Sequence, residues 1–146
     1  MKTEQSDAAD FAHDIKVRWA DCDPARIAYT GRLPYFALEA IDAWWEQTIG
    51  ADWFRLNVDQ DIGTPFVHLS MDFSKPVTPR HILTCKVKLI HLGNSSVRFS
   101  VTGHQDGELC FKGEFVEVFV DAAILQKRGI PAKFKQALID KLEGQQ

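Results

Sequence analysis

Residues 21–50 read DCDPARIAYTGRLPYFALEAIDAWWEQTIG, and this stretch decides how the rest of the chain folds. It begins with two aspartates two residues apart, Asp21 and Asp23. Pro24 biases Asp23 away from helical backbone angles, so this segment predicts a tight turn. The turn therefore places a carboxylate just before the next element of the chain.

A long apolar helix is predicted directly after this turn. From Leu33 onward the apolar residues recur at spacings of three and four, and they form a stripe wider than that of an ordinary surface helix. Pro34 is tolerated in the first turn of a helix, and Gly50 suits the position after the last turn. A helix over residues 33–49 with so much apolar surface needs other elements wrapped around it. The apolar positions are Leu33, Phe36, Ala37, Ala40, Ile41, Trp44 and Ile49, with Ala43 and Trp45 widening the stripe.

The residues on either side of this helix predict smaller elements. Residues 11–19 alternate between apolar and polar side chains, as in a half-buried strand. Residues 51–61 predict a short helix or an ordered loop, anchored by Trp53 and Phe54. The inward face of the strand would hold Phe11, His13, Ile15, Val17 and Trp19.

Four runs typical of strands follow the breaker Gly63-Thr64-Pro65. They cover residues 66–73, 81–92, 95–104 and 108–120, with turn signals at 93–94 and 105–107. The last run is apolar on both faces, which predicts a central strand covered on two sides. Residues 130–142 predict a final helix.

This order of elements predicts the α+β class, with an antiparallel sheet of five or six strands packed over one long helix. We expect a single domain over residues 11–142, preceded by a flexible tail at residues 1–10. A sheet with free edges and apolar residues on both faces favours association of two or more copies of the chain.

Composition and charge argue against several classes of function. The 146 residues carry a net charge of −3, so no nucleic-acid partner is expected. No apolar run approaches the ~20 residues that span a bilayer, and the polar, acidic N-terminus does not read as a signal peptide. The three cysteines are widely spaced, without a disulfide pattern or metal-ligand spacing. We therefore expect a cytoplasmic protein with no metal and no membrane partner.

Several motifs occur in a defined order along the chain: Asp21-Cys22-Asp23-Pro24-Ala25, Ile27, Tyr29, Glu39-Ala40, Gly63-Thr64-Pro65, Leu92-Gly93-Asn94-Ser95-Ser96 and Val118-Phe119-Val120-Asp121. Together they resemble the hot-dog-fold acyl-CoA thioesterases, and most closely the 4-hydroxybenzoyl-CoA thioesterase family, over about residues 13–135. The resemblance implies a sheet wrapped around the long helix and a homodimer, often a homotetramer, with active sites at the subunit interface. It also implies hydrolysis of an acyl-CoA, with no cofactor besides the coenzyme A of the substrate.

The resemblance implies that Asp23 is the catalytic carboxylate. It also implies that a backbone N–H near Thr30, with Gly31 beside it, polarises the thioester carbonyl. A carboxylate can attack a thioester carbonyl or activate water, and a helix N-terminus presents free N–H groups to a developing oxyanion. Asp23 could instead be only a turn residue before Pro24, and the choice between nucleophile and general base is open. Asp21 is expected to hydrogen-bond the turn backbone.

Six residues are candidates for substrate binding: Tyr29, Gly31, Glu39, Thr64, His68 and Ser96. Glu39 could meet a polar end of the acyl group or serve only in packing. Thr64 could line the acyl pocket of the partner subunit or only begin a strand. For His68 and Ser96 a structural role is the alternative to contact with the substrate.

Departures from the family pattern leave parts of the site open. Arg26 stands where a glycine is common, and a basic run that holds the CoA phosphates in some members is missing before Ser96. The phosphate contacts could come from Arg32, Lys75, Arg80, Lys127 or Arg128. The aromatic residues of the long helix suit an aryl or medium-chain acyl group. The alternative function is a non-catalytic acyl-CoA-binding protein on the same fold.

Overall fold

A computed structural model describes residues 11–144, and the predicted N-terminal tail at residues 1–10 lies outside them. An antiparallel five-stranded sheet forms the body of the fold, in the order β1-β4-β5-β6-β3. Its strands are β1 (Phe11–Ile15), β3 (Phe66–Phe73), β4 (Leu83–Leu92), β5 (Ser96–Gln105) and β6 (Glu108–Val118). A small second sheet joins β2 (Ile62–Gly63), β7 (Val120–Asp121) and β8 (Gln126–Lys127), in the order β2-β7-β8.

The helices within residues 11–144 are α1 (Arg32–Ile49), α2 (Trp53–Gln60) and α3 (Ala132–Gly144). The predicted long helix is confirmed as α1. Gly50 caps its C-terminus after Ile49, with a φ of 79° in the left-handed region that glycine adopts without strain. The α+β class, with an antiparallel sheet and one long helix, is confirmed. None of these helices is long and apolar enough to cross a membrane.

The core lies between α1 and the apolar face of the large sheet. Trp44 and Trp45 are both completely buried, and their rings meet the Phe99 ring edge to face with centroids 4.8 and 5.8 Å away. Val97 and Val101 flank Phe99 on the same buried face of β5. Burial of one face of the sheet against α1 leaves its other face more polar.

Two sequence-based expectations are wrong in detail. Trp19 does not continue the inward face of the first strand, because β1 ends at Ile15 and Trp19 begins a short 3₁₀ turn in which its side chain is 75% exposed. Phe54 does not anchor α2; it is 68% exposed, because Leu56 occupies the buried side of that helix. The prediction that the last long strand lies inside the sheet is confirmed, because β6 pairs with β5 on one side and with the edge strand β3 on the other. Its end is apolar on both faces because the chain passes there from the large sheet into the small one.

Strand β3 forms an edge of the large sheet. It pairs with β6, and no other strand of the described chain pairs with its outer side. Val67, Leu69 and Phe73 are exposed along it. Unpaired backbone N–H and C=O groups beside apolar side chains favour pairing with another chain.

Candidate active site

The acidic turn between β1 and α1 is closed by its own hydrogen bonds. The Asp23 N–H donates to the Ile27 carbonyl at 3.1 Å, and the Arg26 N–H donates to the Asp23 carbonyl at 2.9 Å. Asp23 Oδ1 accepts a hydrogen bond from the Ala25 N–H at 2.8 Å. Within residues 11–144, Oδ2 takes part in no hydrogen bond or ion pair. One oxygen of Asp23 therefore holds the turn, and the other is available to a substrate.

Asp21 fastens this turn to the structure around it, as expected of a structural aspartate. Its Oδ2 accepts a hydrogen bond from the Arg18 N–H at 2.8 Å, and its Oδ1 lies 3.1 Å from Arg32 Nε. The Asp21 carbonyl accepts a hydrogen bond from the Tyr29 N–H at 2.8 Å. The turn and the start of α1 are thus connected through one residue.

The N-terminus of α1 has no side-chain cap. Gly31 is the capping residue, and it has no side chain to offer. The Arg32 N–H donates to the Tyr29 carbonyl and the Leu33 N–H to the Thr30 carbonyl. The N–H groups of Thr30 and Gly31 have no acceptor among the described residues. These two N–H groups, at the positive end of an 18-residue helix, can therefore meet an anion or an oxyanion.

A surface cleft of about 400 Å³, here named the Asp23 cleft, joins the turn to this helix end. The Tyr29 ring covers Gly31 so closely that a Cβ at Gly31 would lie 2.6 Å from Tyr29 Cε2. The cleft thus has a carboxylate on one side and glycine backbone beneath a tyrosine ring on the other. Its lining residues are Ala20, Asp21, Cys22, Asp23, Tyr29, Gly31, Arg32 and Tyr35.

A second cleft of about 490 Å³, here named the Trp53 cleft, adjoins the first. The two share Asp21, Arg32 and Tyr35 in their walls. Aromatic and aliphatic side chains of β1, α1 and α2 line it together with charged ones. Its lining residues are Ile15, Lys16, Arg18, Asp21, Arg32, Tyr35, Phe36, Leu38, Glu39, Asp42 and Trp53.

The structure brings some of the predicted site residues together and keeps others apart. Asp23, Tyr29 and Gly31 line the same Asp23 cleft. Thr30 lines a neighbouring groove of about 290 Å³ that also includes Ser74 and Lys75. Glu39 lines the Trp53 cleft, where its Oε2 is 2.7 Å from His13 Nε2.

The other three candidates line none of these clefts. Thr64 is buried in the segment between β2 and β3. His68 is exposed on the edge strand β3. Ser96 begins β5 and folds over the preceding turn, where a Cβ at Gly93 would lie 2.5 Å from its Oγ. Contact of these residues with the substrate of their own subunit finds no support in the single chain.

Sequence reasoning missed Glu117, a completely buried carboxyl group on β6. Trp45 Nε1 donates to its Oε1 at 3.0 Å, and Trp53 Nε1 donates to its Oε2 at 3.1 Å. The Thr64 hydroxyl lies close enough to lower the pKa of Glu117 but has no hydrogen bond of regular geometry. The signal in the sequence was a single carboxylate within the apolar run Phe115-Val116-Glu117-Val118-Phe119-Val120.

A fourth cleft, of about 530 Å³, lies between the small sheet and the start of α3. Lys127 and Arg128 give it a basic wall, and Asp121 is also part of the lining. Across residues 11–144, no group of histidine, cysteine or carboxylate side chains is arranged to hold a metal ion.

Comparison with known proteins identifies the family. The sequence profile of the thioesterase-like superfamily matches residues 17–138, which is most of the chain. The chain belongs to the thioesterase-like superfamily. This membership confirms the resemblance to hot-dog-fold thioesterases, and with it the enzyme class of thioester hydrolase.

Solved structures of thioesterases share this fold. A thioesterase-superfamily protein from Jannaschia sp. CCS1 is 48% identical, with 91% of this chain and 93% of that chain covered and a TM-score of 0.88. A 1,4-dihydroxy-2-naphthoyl-CoA thioesterase from Synechocystis is 20% identical (90% and 96% covered, TM-score 0.80). A DHNA-CoA thioesterase from Staphylococcus aureus is 14% identical (92% and 91% covered, TM-score 0.81). No curated protein sequence matches the chain.

Proposed function

We propose that this thioesterase hydrolyses an acyl-CoA to the free carboxylic acid and coenzyme A, with Asp23 as nucleophile or general base. One observation carries the proposal: the Asp23 carboxylate, with Oδ2 unengaged among the described residues, lines the same cleft as the uncapped start of α1. A carbonyl group placed between them would meet a nucleophile or base on one side and N–H donors on the other.

The chemistry can follow either of two routes. As a general base, Asp23 takes a proton from water while the water oxygen attacks the thioester carbonyl carbon. As a nucleophile, Asp23 Oδ2 attacks that carbon itself, and water then hydrolyses the acyl-aspartyl anhydride. In both routes the C–S bond breaks and the CoA sulfur leaves as thiolate, which takes up a proton. Both place negative charge on the carbonyl oxygen, which the Thr30 and Gly31 N–H groups would stabilise.

The acyl group is proposed to extend from the Asp23 cleft into the Trp53 cleft. The shared wall at Arg32 and Tyr35 makes the two clefts neighbours. The rings of Tyr35 and Trp53 suit an aryl or medium-chain acyl group. An aryl substrate also agrees with the 1,4-dihydroxy-2-naphthoyl-CoA named for the Synechocystis relative. Glu39 lines the same cleft and would accept a hydrogen bond from a ring hydroxyl.

A second copy of the chain is proposed to complete the site. The unpaired edge of β3 and its exposed Val67, Leu69 and Phe73 support a homodimer, which could pair again as a tetramer. His68 on this strand would then reach a partner's substrate. The cytoplasmic location stays a prediction, in agreement with the free thiols of Cys22, Cys85 and Cys110.

Lys127 and Arg128 are proposed to hold the CoA phosphates. Arg32 and Lys75 already pair with Asp21 and Glu108, whereas Lys127 and Arg128 have no ion pair within residues 11–144. Replacing both with Gln should raise KM for an acyl-CoA several-fold. It should leave KM unchanged for the same acyl group on N-acetylcysteamine, which lacks the nucleotide. Equal KM changes for both esters would contradict this assignment.

The experiment for Asp23 is hydrolysis of a panel of aryl- and acyl-CoA esters, followed by release of free thiol. Asp23→Asn keeps the Oδ1 acceptor for the Ala25 N–H but cannot take a proton or attack. We expect kcat to fall by about 10²–10⁴-fold, the usual contribution of a positioned acid or base. The thermal unfolding midpoint should change little, because the turn bond is retained.

Glu114→Gln is the matched control, since Glu114 lies half-exposed on β6, away from every cleft described above. It should hydrolyse the esters at the wild-type rate. Turnover of Asp23→Asn at the wild-type rate would show that another group carries the reaction. Tight acyl-CoA binding by the wild type without any thiol release would instead favour a non-catalytic binding protein.

A further inference from the structure

A carboxyl group without a cation is enclosed between the sheet and two helices. Glu117 receives one indole N–H from Trp45 on α1 and one from Trp53 on α2, at 3.0 and 3.1 Å. No lysine, arginine or histidine within residues 11–144 forms an ion pair with it. The buried Thr64 Oγ1 beside it lacks a hydrogen-bond partner of regular geometry.

These surroundings suit a neutral carboxylic acid better than a carboxylate. Burial raises the pKa of Glu117 to about 8, although the hydrogen bonds from Trp45 and Trp53 and the nearby Thr64 hydroxyl oppose the rise. The neighbouring Asp42 carboxylate on α1 raises the pKa as well. The acid proton has an acceptor at hand in Thr64 Oγ1, so the neutral form also satisfies that buried oxygen.

Two hydrogen bonds hold Trp53 in place, and Glu117 accepts one of them. The Trp53 indole donates to Glu117, and the Trp53 backbone N–H donates to Asp42 Oδ1 at 2.8 Å. The ring also meets Phe66 edge to face, with centroids 5.6 Å apart. Helix α2 has few other attachments, because Leu56 is its only fully buried side chain. Trp53 therefore fastens the N-terminal end of α2, and its side chain forms part of the Trp53 cleft.

We propose that Glu117 is a proton-controlled catch for α2: the neutral acid holds Trp53 in the wall of the Trp53 cleft, and loss of its proton releases the N-terminal end of that helix. An ionised Glu117 would face the like charge of Asp42 from α1. From α2 and from the segment before β3 it would face the uncharged Trp53 and Thr64. Its partners in the sheet, Phe66 on β3 and Val97 on β5, are apolar. Water can reach the new charge most easily by displacing the half-buried Trp53, because Trp45 is completely buried in the long helix.

The direction of the pH response follows from the two arrangements. In the closed arrangement Glu117 keeps its proton up to about pH 8, whereas in the released arrangement water returns its pKa towards the ordinary value of 4.5. Rising pH therefore favours release by up to about tenfold per pH unit. Above about pH 8 the carboxyl is ionised in both arrangements, so the ratio levels off.

The test is hydrogen–deuterium exchange of the full chain without substrate, between pH 5.5 and 9. Protection factors, corrected for the intrinsic exchange rate at each pH, are compared for peptides covering residues 52–60 and 96–105. We expect protection of α2 to fall at least about tenfold between pH 6 and 8 and then to level off. Exchange in β5 should be slower than in α2 throughout, because the catch opens locally.

Two variants and a control distinguish release of α2 through Glu117 from a general loss of stability at high pH. Glu117→Gln should remove the pH response of α2, whereas Glu114→Gln, the same change at a half-exposed site on the same strand, should leave it intact. Trp53→Phe keeps a ring but loses the indole N–H, so it should lower the protection of α2 already at pH 6. The proposal is wrong if protection of α2 in the wild type does not change with pH. It is equally wrong if α2 and β5 exchange at one common rate, or if Glu117→Gln retains the response.

The consequence for catalysis rests on the proposed function. If the acyl group lies in the Trp53 cleft, KM for the acyl-CoA should rise over the same pH range in the wild type but not in Glu117→Gln. The exchange measurement uses no substrate. Failure of the catch is therefore distinguishable from failure of the thioesterase assignment.

Discussion

Arg32 Nε lies 3.1 Å from Asp21 Oδ1, so one ion pair joins the acidic turn to the first turn of α1. The Asp21 side chain is 14% exposed and that of Arg32 is 43% exposed, which places the pair at the edge of the protein interior. The other Asp21 oxygen is held by the Arg18 N–H. This arrangement sets the position of Asp23 relative to the free N–H groups at the start of the helix, the two parts that the proposed reaction needs.

Arg32→Gln should therefore impair catalysis more than stability. Loss of a partly exposed ion pair costs at most about 1 kcal/mol in the free energy of unfolding. A displacement of the turn by a fraction of an ångström should lower kcat by about tenfold or more. Urea unfolding and thiol-release assays measure the two effects. Arg55→Gln is the control, because its ion pair with Asp52 at the start of α2 is similar but lies outside both clefts. A proportionate loss of kcat in both variants would contradict this role of Arg32.

Arg26→Gly should stabilise the turn or leave its stability unchanged. Arg26 has a φ of 68°, a left-handed conformation that costs a residue with a side chain about 1–2 kcal/mol. Glycine removes this strain, but it adds about 0.5–1 kcal/mol of unfolded-state entropy. The free energy of unfolding should thus rise by up to about 1.5 kcal/mol in a urea titration. Ala25→Gly, at a residue without positive φ, should lower it instead. A clear destabilisation by Arg26→Gly would show that the Arg26 side chain itself holds the turn.

Gly103→Ala should destabilise the sheet. Gly103 pairs with Phe111 across β5 and β6, and a Cβ at this position would lie 2.2 Å from the Phe111 ring. Displacing a buried ring typically costs about 1–3 kcal/mol. Gly129→Ala is the control, because its nearest obstacle is the Asn94 carbonyl at 3.7 Å. Thermal unfolding should show a lowered midpoint for the first variant and little change for the second. Equal midpoints would mean that Phe111 moves aside without cost.

The free energy of unfolding should decrease as pH rises from about 4.5 to about 8. Glu117 has a pKa of about 8 in the folded chain and an ordinary value of 4.5 when exposed, so the folded state binds its proton more tightly. Each pH unit in this interval should remove up to about 1.4 kcal/mol, and the loss should end near pH 8. Urea titrations at several pH values should show a smaller slope for Glu117→Gln than for Glu114→Gln. Identical slopes would mean that Glu117 ionises normally in the folded chain.

Leu69→Lys should weaken the proposed homodimer. A charge on the outer edge of β3 would oppose pairing of two such edges. Sedimentation or light scattering should show a shift of the wild-type oligomer towards smaller species in this variant. Leu125→Lys is a suitable control, since Leu125 is also exposed but lies in the turn between β7 and β8. An unchanged oligomer in Leu69→Lys would place the interface elsewhere.

The elements of the fold could be predicted because their signals are local. The three-and-four spacing of apolar residues from Leu33, ended by Gly50, agrees with α1 as observed. Turn residues separate the strand runs, and the run at residues 66–73 agrees with β3 at both ends. Local patterns did not predict the burial of a side chain where that burial depends on which element packs against it. Trp19 and Phe54 look like core residues in the sequence, but no element within residues 11–144 covers them.

The candidate site also has a part that local sequence predicts and a part that depends on long-range packing. Asp23 and the start of α1 are a few residues apart, so the sequence by itself determined that a carboxylate and free N–H groups lie near one another. The surroundings of Glu117 were decided only by the tertiary structure, because Trp45, Trp53 and Thr64 come to it from distant parts of the chain. The same holds for the separation of Thr64, His68 and Ser96 from the clefts. Local backbone preferences act over a few neighbouring residues, whereas burial and pKa depend on long-range packing.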